Sequence, residues 1–122
     1  MPASVGYLVI DTVDPEPLTP FWCGLLDVEL ATTIGDGQFV VLSPTKSGLT
    51  IGFQRVPEAK AGKNRLHLDL FVDDLEKATA EIESLGGRWL EPGNTRELEG
   101  FRWRIMADPE GNEFDIDVLP SE

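Results

Sequence analysis

The order strand, helix, strand, strand, strand can be read twice along this chain, and few folds accommodate such a repeat. Val5 to Thr12 is a β-rich apolar run ending at Asp14-Pro15, where turn residues take over. A helix is expected next, because Phe21, Trp22, Leu25 and Leu26 are spaced as one apolar face. Asp14 and Thr19, each directly before a proline, are both available as its N-cap. Val28 to Thr32, Gln38 to Leu42 and Leu49 to Gln54 then read as three short strands, separated by turn-forming residues around Gly35-Asp36-Gly37 and Ser43-Pro44.

Residues 55–63, with Pro57, Gly62 and several charges, form the natural linker, and the order then repeats. Leu66 to Val72 alternates as a strand. Asp73 with Glu76 makes a capping box for a helix running to Leu85, where Gly86-Gly87 stops it. Arg88 to Leu90, Phe101 to Ala107 and Asn112 to Val118 supply three more strands. A shift of 59 positions lays Val13-Asp14 on Val72-Asp73 and Leu26 on Leu85. Element order, helix end and strand count agree together, so a duplicated module explains the pattern better than an unrelated arrangement. At 122 residues the chain is sized for one domain. The expected class is α+β, with two tandem βαβββ modules at about 5–54 and 64–118.

Composition narrows the partners. Ten basic against 22 acidic side chains leave a formal charge of −12, which repels phosphate backbones and anionic lipid, so neither nucleic acid nor membrane is an expected partner. No apolar run approaches the ~20 residues of a membrane span. Met1-Pro2-Ala3-Ser4 lacks the positive region of a signal peptide, so a cytoplasmic location is expected. The lone Cys23 sits within an apolar helix pattern and is assigned no chemistry.

The run Met106-Ala107-Asp108-Pro109-Glu110-Gly111-Asn112-Glu113-Phe114 is similar to the Asp-Pro-x-Gly-Asn turn that the vicinal oxygen chelate superfamily places before its last strand. That superfamily includes glyoxalases, bleomycin-resistance proteins and dioxygenases. Leu66-His67-Leu68-Asp69-Leu70 with Val72-Asp73-Asp74, and Leu85-Gly86-Gly87, resemble the same pattern, and the resemblance spans nearly the whole chain. It implies a curved, partly closed mixed sheet around a cup-shaped cavity, and a homodimer. The turn also has a reading of its own: Pro109 presets its φ, while Gly111 and Asn112 tolerate left-handed conformations. It identifies the fold and does no chemistry.

Strand parity locates candidate site residues, because alternate residues face opposite sides of a sheet. Leu66, Leu68 and Leu70 share a face expected to lie under a helix, leaving His67, Asp69 and Phe71 opposite. Phe114, Ile116 and Val118 leave Glu113, Asp115 and Asp117, and Ile51 and Phe53 leave Thr50, Gly52 and Gln54. The resemblance implies that this polar side lines the cup, with metal-binding members taking a ligand from the first and last strands of each module. Carried over by position, His67, Asp115 and Gln54 are the candidate metal ligands. The fourth position falls on Leu8, or on Val9 if the alignment slips by one, and neither can bind a metal.

Two function classes follow. A divalent ion such as zinc, nickel, manganese or iron could be held by the three remaining donors. It would support lyase or isomerase chemistry on a small oxygenated substrate through an enediolate-type intermediate, with Glu113 or Asp115 as the carboxylate that moves a proton. Dioxygenase chemistry of the two-histidine type is disfavoured, because the chain has one histidine. Without a metal, the same cup is a small-molecule pocket of the bleomycin-resistance type, the reading the apolar Leu8 favours. Asp69 is then a partner for His67 or the ligand, Trp89 and Trp103 are aromatic walls, and Trp22 is helix core. Trp103 alternates with Arg102 and Arg104, and parity leaves open which of these faces the cup; inward Arg104 would suit an anionic ligand.

Overall fold

In the computed structural model, which describes residues 2–120, each half of the chain builds its own mixed sheet. The halves form two compact units, residues 1–59 and 60–122.

The first unit contains β1 (Tyr7–Thr12), α1 (Leu18–Leu26), β2 (Leu30–Ile34), β3 (Phe39–Leu42) and β4 (Thr50–Arg55). Its strand order is β1-β4-β3-β2, with β1 parallel to β4 and the other pairs antiparallel. A parallel pair cannot be closed by a tight turn, so β1 reaches β4 through the helix and two intervening strands. The register puts Leu8, Ile10, Ile51, Phe53, Val40 and Leu42 on one face. The helix buries Leu18, Phe21 and Trp22, the two aromatic rings meeting edge to face at 5.3 Å, and these two apolar faces make the core.

Neither expected cap starts α1. Pro17 occupies that position with no side-chain cap. The prolines turn the chain early: Thr19 N–H already donates to Pro15 O at 3.0 Å. Asp14 Oδ1 accepts from Glu16 N–H within that turn, and the Thr19 hydroxyl bonds Pro15 O. The helix ends where expected, with Asp27 taking the left-handed conformation. Strand β2 starts two residues later than Val28.

The second unit contains β5 (Asp69–Phe71), α2 (Leu75–Ser84), β6 (Arg88–Trp89), β7 (Arg96–Leu98), β8 (Phe101–Ala107) and β9 (Glu113–Val118), in the order β5-β9-β8-β6 with β7 also on β8. Strand β7 is an addition to the sequence reading; Arg96-Glu97-Leu98 has no apolar alternation to announce it. The fifth strand is shorter than the 66–72 expected, and Leu66 is 87% exposed rather than under a helix. The N-cap of α2 is Asp74, one residue beyond Asp73, because Asp74 has the extended backbone a cap needs and its carboxylate accepts from Glu76 and Lys77 N–H. Leu75, Ala78, Thr79 and Ile82 form the buried stripe. Gly86, at φ +100°, closes the helix with Gly87 N–H bonded to Ile82 O.

The turn before β9 is held from inside. Asp108 is buried, and its carboxylate accepts from Glu110 N–H, Asn112 N–H and the Asn112 amide. Gly111 supplies the left-handed residue at φ +88°, whereas Asn112 contributes its side chain rather than a left-handed backbone.

Candidate functional site

The pairing of β5, β9, β8 and β7 decides which side chains share the open face of the second sheet. Asp69 lies opposite Asp115 and Phe71 opposite Asp117, while Ile105 pairs with Asp115, Trp103 with Asp117 and Arg96 with Trp103. Neighbours across a ladder point the same way, so these residues, with His67 and Glu113, lie on one side. Phe114, Ile116 and Met106 are buried on the other.

His67 and Asp69, two residues apart, turn toward Asp115 on the adjacent strand. His67 Nε2 lies 3.1 Å from Asp69 Oδ1 and 3.4 Å from Asp115 Oδ2. Among the described residues, His67, Asp69 and Asp115 offer three ligand atoms within 4.8 Å of one another. One imidazole nitrogen and two carboxylate oxygens suit a hard or borderline divalent ion, whose charge the carboxylates balance. Burial pushes the Asp115 carboxyl up, a trend that His67 opposes and Asp69 reinforces.

Asp117 continues the acidic row. Burial, a side-chain hydrogen bond with Asp69 and the charges of Asp69 and Asp115 push its carboxyl up to about 7. It can therefore hold a proton near neutrality. A folded-state value above the unfolded one means the native protein binds more protons, so stability falls as pH rises from about 4 through 7. With solvent screening allowed for, the effect is on the order of 1–2 kcal/mol. Asp117→Asn is expected to flatten the urea midpoint between pH 4.5 and 8 in chelator; a wild-type slope retained in the variant would remove Asp117 as its source.

Glu113 is engaged differently. Its Oε1 accepts from Lys63 Nζ at 3.0 Å and Asn64 N–H at 3.1 Å, and its main-chain oxygen accepts from the Asn64 amide. Burial raises its carboxyl, but these donors outweigh burial and hold it below its ordinary value.

Trp89 and Arg104 lie on the opposite side of the sheet from the carboxylates. Arg104 pairs with Ile116 and Trp89 with Met106, both buried residues. The Arg104 guanidinium, 4% exposed, bonds Thr79, Thr95 and Glu76 and stacks 4.0 Å over the Trp89 ring. It serves the helix side, which answers the parity question: Trp103 shares the carboxylate face. Arg96, which the sequence reading passed over, shares that face too, gripped by both oxygens of Glu91.

The first unit repeats the geometry without the histidine and paired aspartates. Asp14 and Asp74 each accept from the amide two residues on, which sets the units in register at an offset of 60 rather than 59. Tyr7 then corresponds to His67 and Val9 to Asp69. Gly52, opposite Val9, takes the place of Asp115. Gln54, opposite Asp11, matches Asp117 instead, and Leu8 faces the core side beside Ile51. A side chain at Gly52 would meet Phe39 ring atoms at 3.2 Å, and Phe39 in turn contacts Tyr7. Aromatic rings occupy this face where the second unit has donors.

The family model described as Glyoxalase-like domain matches residues 7–116. Among solved structures, a glyoxalase/bleomycin resistance protein/dioxygenase family enzyme from Burkholderia phytofirmans is similar at TM-score 0.77 and 20% identity, covering 96% of this chain and 99% of that one. The fosfomycin resistance protein FosX from Listeria monocytogenes, complexed with Mn(II) and 1S,2S-dihydroxypropylphosphonic acid, is similar at TM-score 0.75 and 16% identity, covering 95% and 90%. A glyoxalase/bleomycin resistance protein/dioxygenase from Nocardioides has TM-score 0.76 and 12% identity, covering 99% and 86%. No curated protein matches the sequence significantly.

Proposed function

The chain belongs to the glyoxalase-like family of the vicinal oxygen chelate superfamily, and from that premise we propose that it binds a small oxygenated molecule through a divalent cation held by His67, Asp69 and Asp115. The convergence of these three donors carries the reading. Asp69 thus takes the part that the family resemblance implied for Gln54, and these three donors lie within the second unit alone. The Mn(II) in FosX makes manganese the first ion to test.

When bound, the cation supplies Lewis acidity to an oxygen of the small molecule. The chain's own groups do the rest. Asp117 holds a proton within the same acidic row, where it can be passed to or taken from a bound oxygen acid. Trp103, Ile105 and Phe71 give the ligand an apolar surface beside the carboxylates. This composition fits lyase or isomerase chemistry on a compact substrate.

A second reading, a metal-free pocket, is supported by the first unit, where Val9 and Gly52 carry no ligand atom and Tyr7 offers only a phenol. A thermal-shift screen of small hydroxy, keto and phosphonic acids, with Mn2+ or with EDTA, separates the two. The expected result is a rise in Tm only when acid and Mn2+ are both present. An equal rise in EDTA would establish the metal-free pocket instead.

A further inference from the structure

Regular pairing of β5 with β9 begins only at Asp69, so His67 lies just outside the ladder. Two anchors bracket it. On one side Asn64 bonds Glu113 twice, through its N–H to Oε1 and its amide to the main-chain oxygen. On the other, Asp115 N–H donates to Leu68 O at 2.8 Å. The Glu113 side chain is only 17% exposed, whereas Lys63 is 70% exposed, so the Asn64 bonds carry more of the anchoring than the surface ion pair.

We infer that Glu113 is a positioning residue: by holding Asn64 it docks the segment 64–68 on β9 and sets His67 against Asp115. Both anchors fall on β9, at Glu113 and at Asp115, two residues apart on the same face, so the segment between them has little freedom to carry His67 away. The Glu113 carboxylate, occupied by two donors, is poorly placed to abstract a substrate proton. Its effect reaches the cation through the orientation of a ligand histidine, as groups behind metal ligands commonly do.

This inference rests on the cation reading above, and its test separates the two. Co2+ titrations followed by the visible d–d absorption would compare wild type, Glu113→Gln and Glu113→Ala, alongside hydrogen exchange of the Asp115 amide in metal-free protein. Gln retains an Oε1 acceptor for Asn64 N–H. It is expected to bind Co2+ within about threefold of wild type and with the same spectrum. Ala is expected to bind about tenfold more weakly, with an altered spectrum and faster Asp115 exchange. Should Glu113→Ala not fold, Asn64→Ala removes the companion bond, from the Asn64 amide to the Glu113 main-chain oxygen, and by loosening the same docked segment is expected to change spectrum and exchange in the same direction.

Gln as impaired as Ala would show that the negative charge itself acts, overturning positioning. Ala with wild-type affinity and spectrum would overturn it as well. If wild type binds no Co2+ at all, the cation reading fails by itself. Asp115 exchange then still decides whether Glu113 docks the segment: unchanged exchange in Ala sinks the inference, and accelerated exchange upholds the docking.

Discussion

Phe53→Ala is expected to destabilise the protein by about 3–5 kcal/mol, enough to remove much of the 5–15 kcal/mol that holds an ordinary domain folded. Phe53 is fully buried at the centre of the first sheet, beside Ile10 on β1 and Val40 on β3. Truncation loses the transfer free energy of the ring and leaves a cavity that flanking strands, fixed by ladders on both sides, cannot close. Urea denaturation followed by circular dichroism measures the loss. Phe71→Ala is the control: that ring is 70% exposed on a three-residue edge strand, and its removal should change stability by less than about 0.5 kcal/mol. Equal costs at the two positions would contradict the division of faces that places the site.

The second large effect concerns binding. His67→Ala is expected to weaken Mn2+ by at least about 100-fold, since even groups behind a metal ligand are worth 10–100-fold. Asp69→Asn should act in the same direction by removing a charged donor. Gln54→Ala should leave affinity within about twofold, because the three donors are complete in the second unit. His67 is half exposed and outside the regular ladder, so these variants keep the fold and calorimetric titration reads binding alone. A Gln54 variant as weak as the His67 variant would restore the sequence-derived ligand set.

That contrast shows where the sequence was legible. Parity along β5 and β9 put His67, Asp69 and Asp115 on one face, and the structure has them there. The match between modules was more fragile. An offset of 59 or 60 differs by one residue, and a one-residue slip exchanges the two faces of a strand. Hence Leu8 competes for a face that Val9 occupies, whereas Gln54 shares the face of Gly52 but stands two residues beyond it, opposite Asp11, the counterpart of Phe71. Hydrogen bonds outside the strands, at Asp14 and Asp74, settle the offset, and the burial of Phe53 agrees, since an offset of 59 would lay Ile10 and Phe53 on Asp69 and Asp115.

Arg104 was unreadable for a different reason. Alternation sets Trp103 against its arginine neighbours but does not say which side the helix covers. Arg104 is drawn to the helix side by Thr79 and Glu76, some 25 residues earlier in the chain, and no local pattern records that pairing. Asn64 carries no local signal of its role either, because its partner Glu113 lies at the far end of the second unit. The short, polar β7 is formed by pairing with β8 rather than by its own propensity.

The central claim is that His67, Asp69 and Asp115 hold a divalent cation. Titrating metal-free protein into Mn2+ and following the electron paramagnetic resonance of the free aqua ion tests it most directly. The expected result is loss of that signal to a stoichiometry of one ion per chain, with the loss absent in His67→Ala. A free-ion signal that persists undiminished with excess wild-type protein would contradict it.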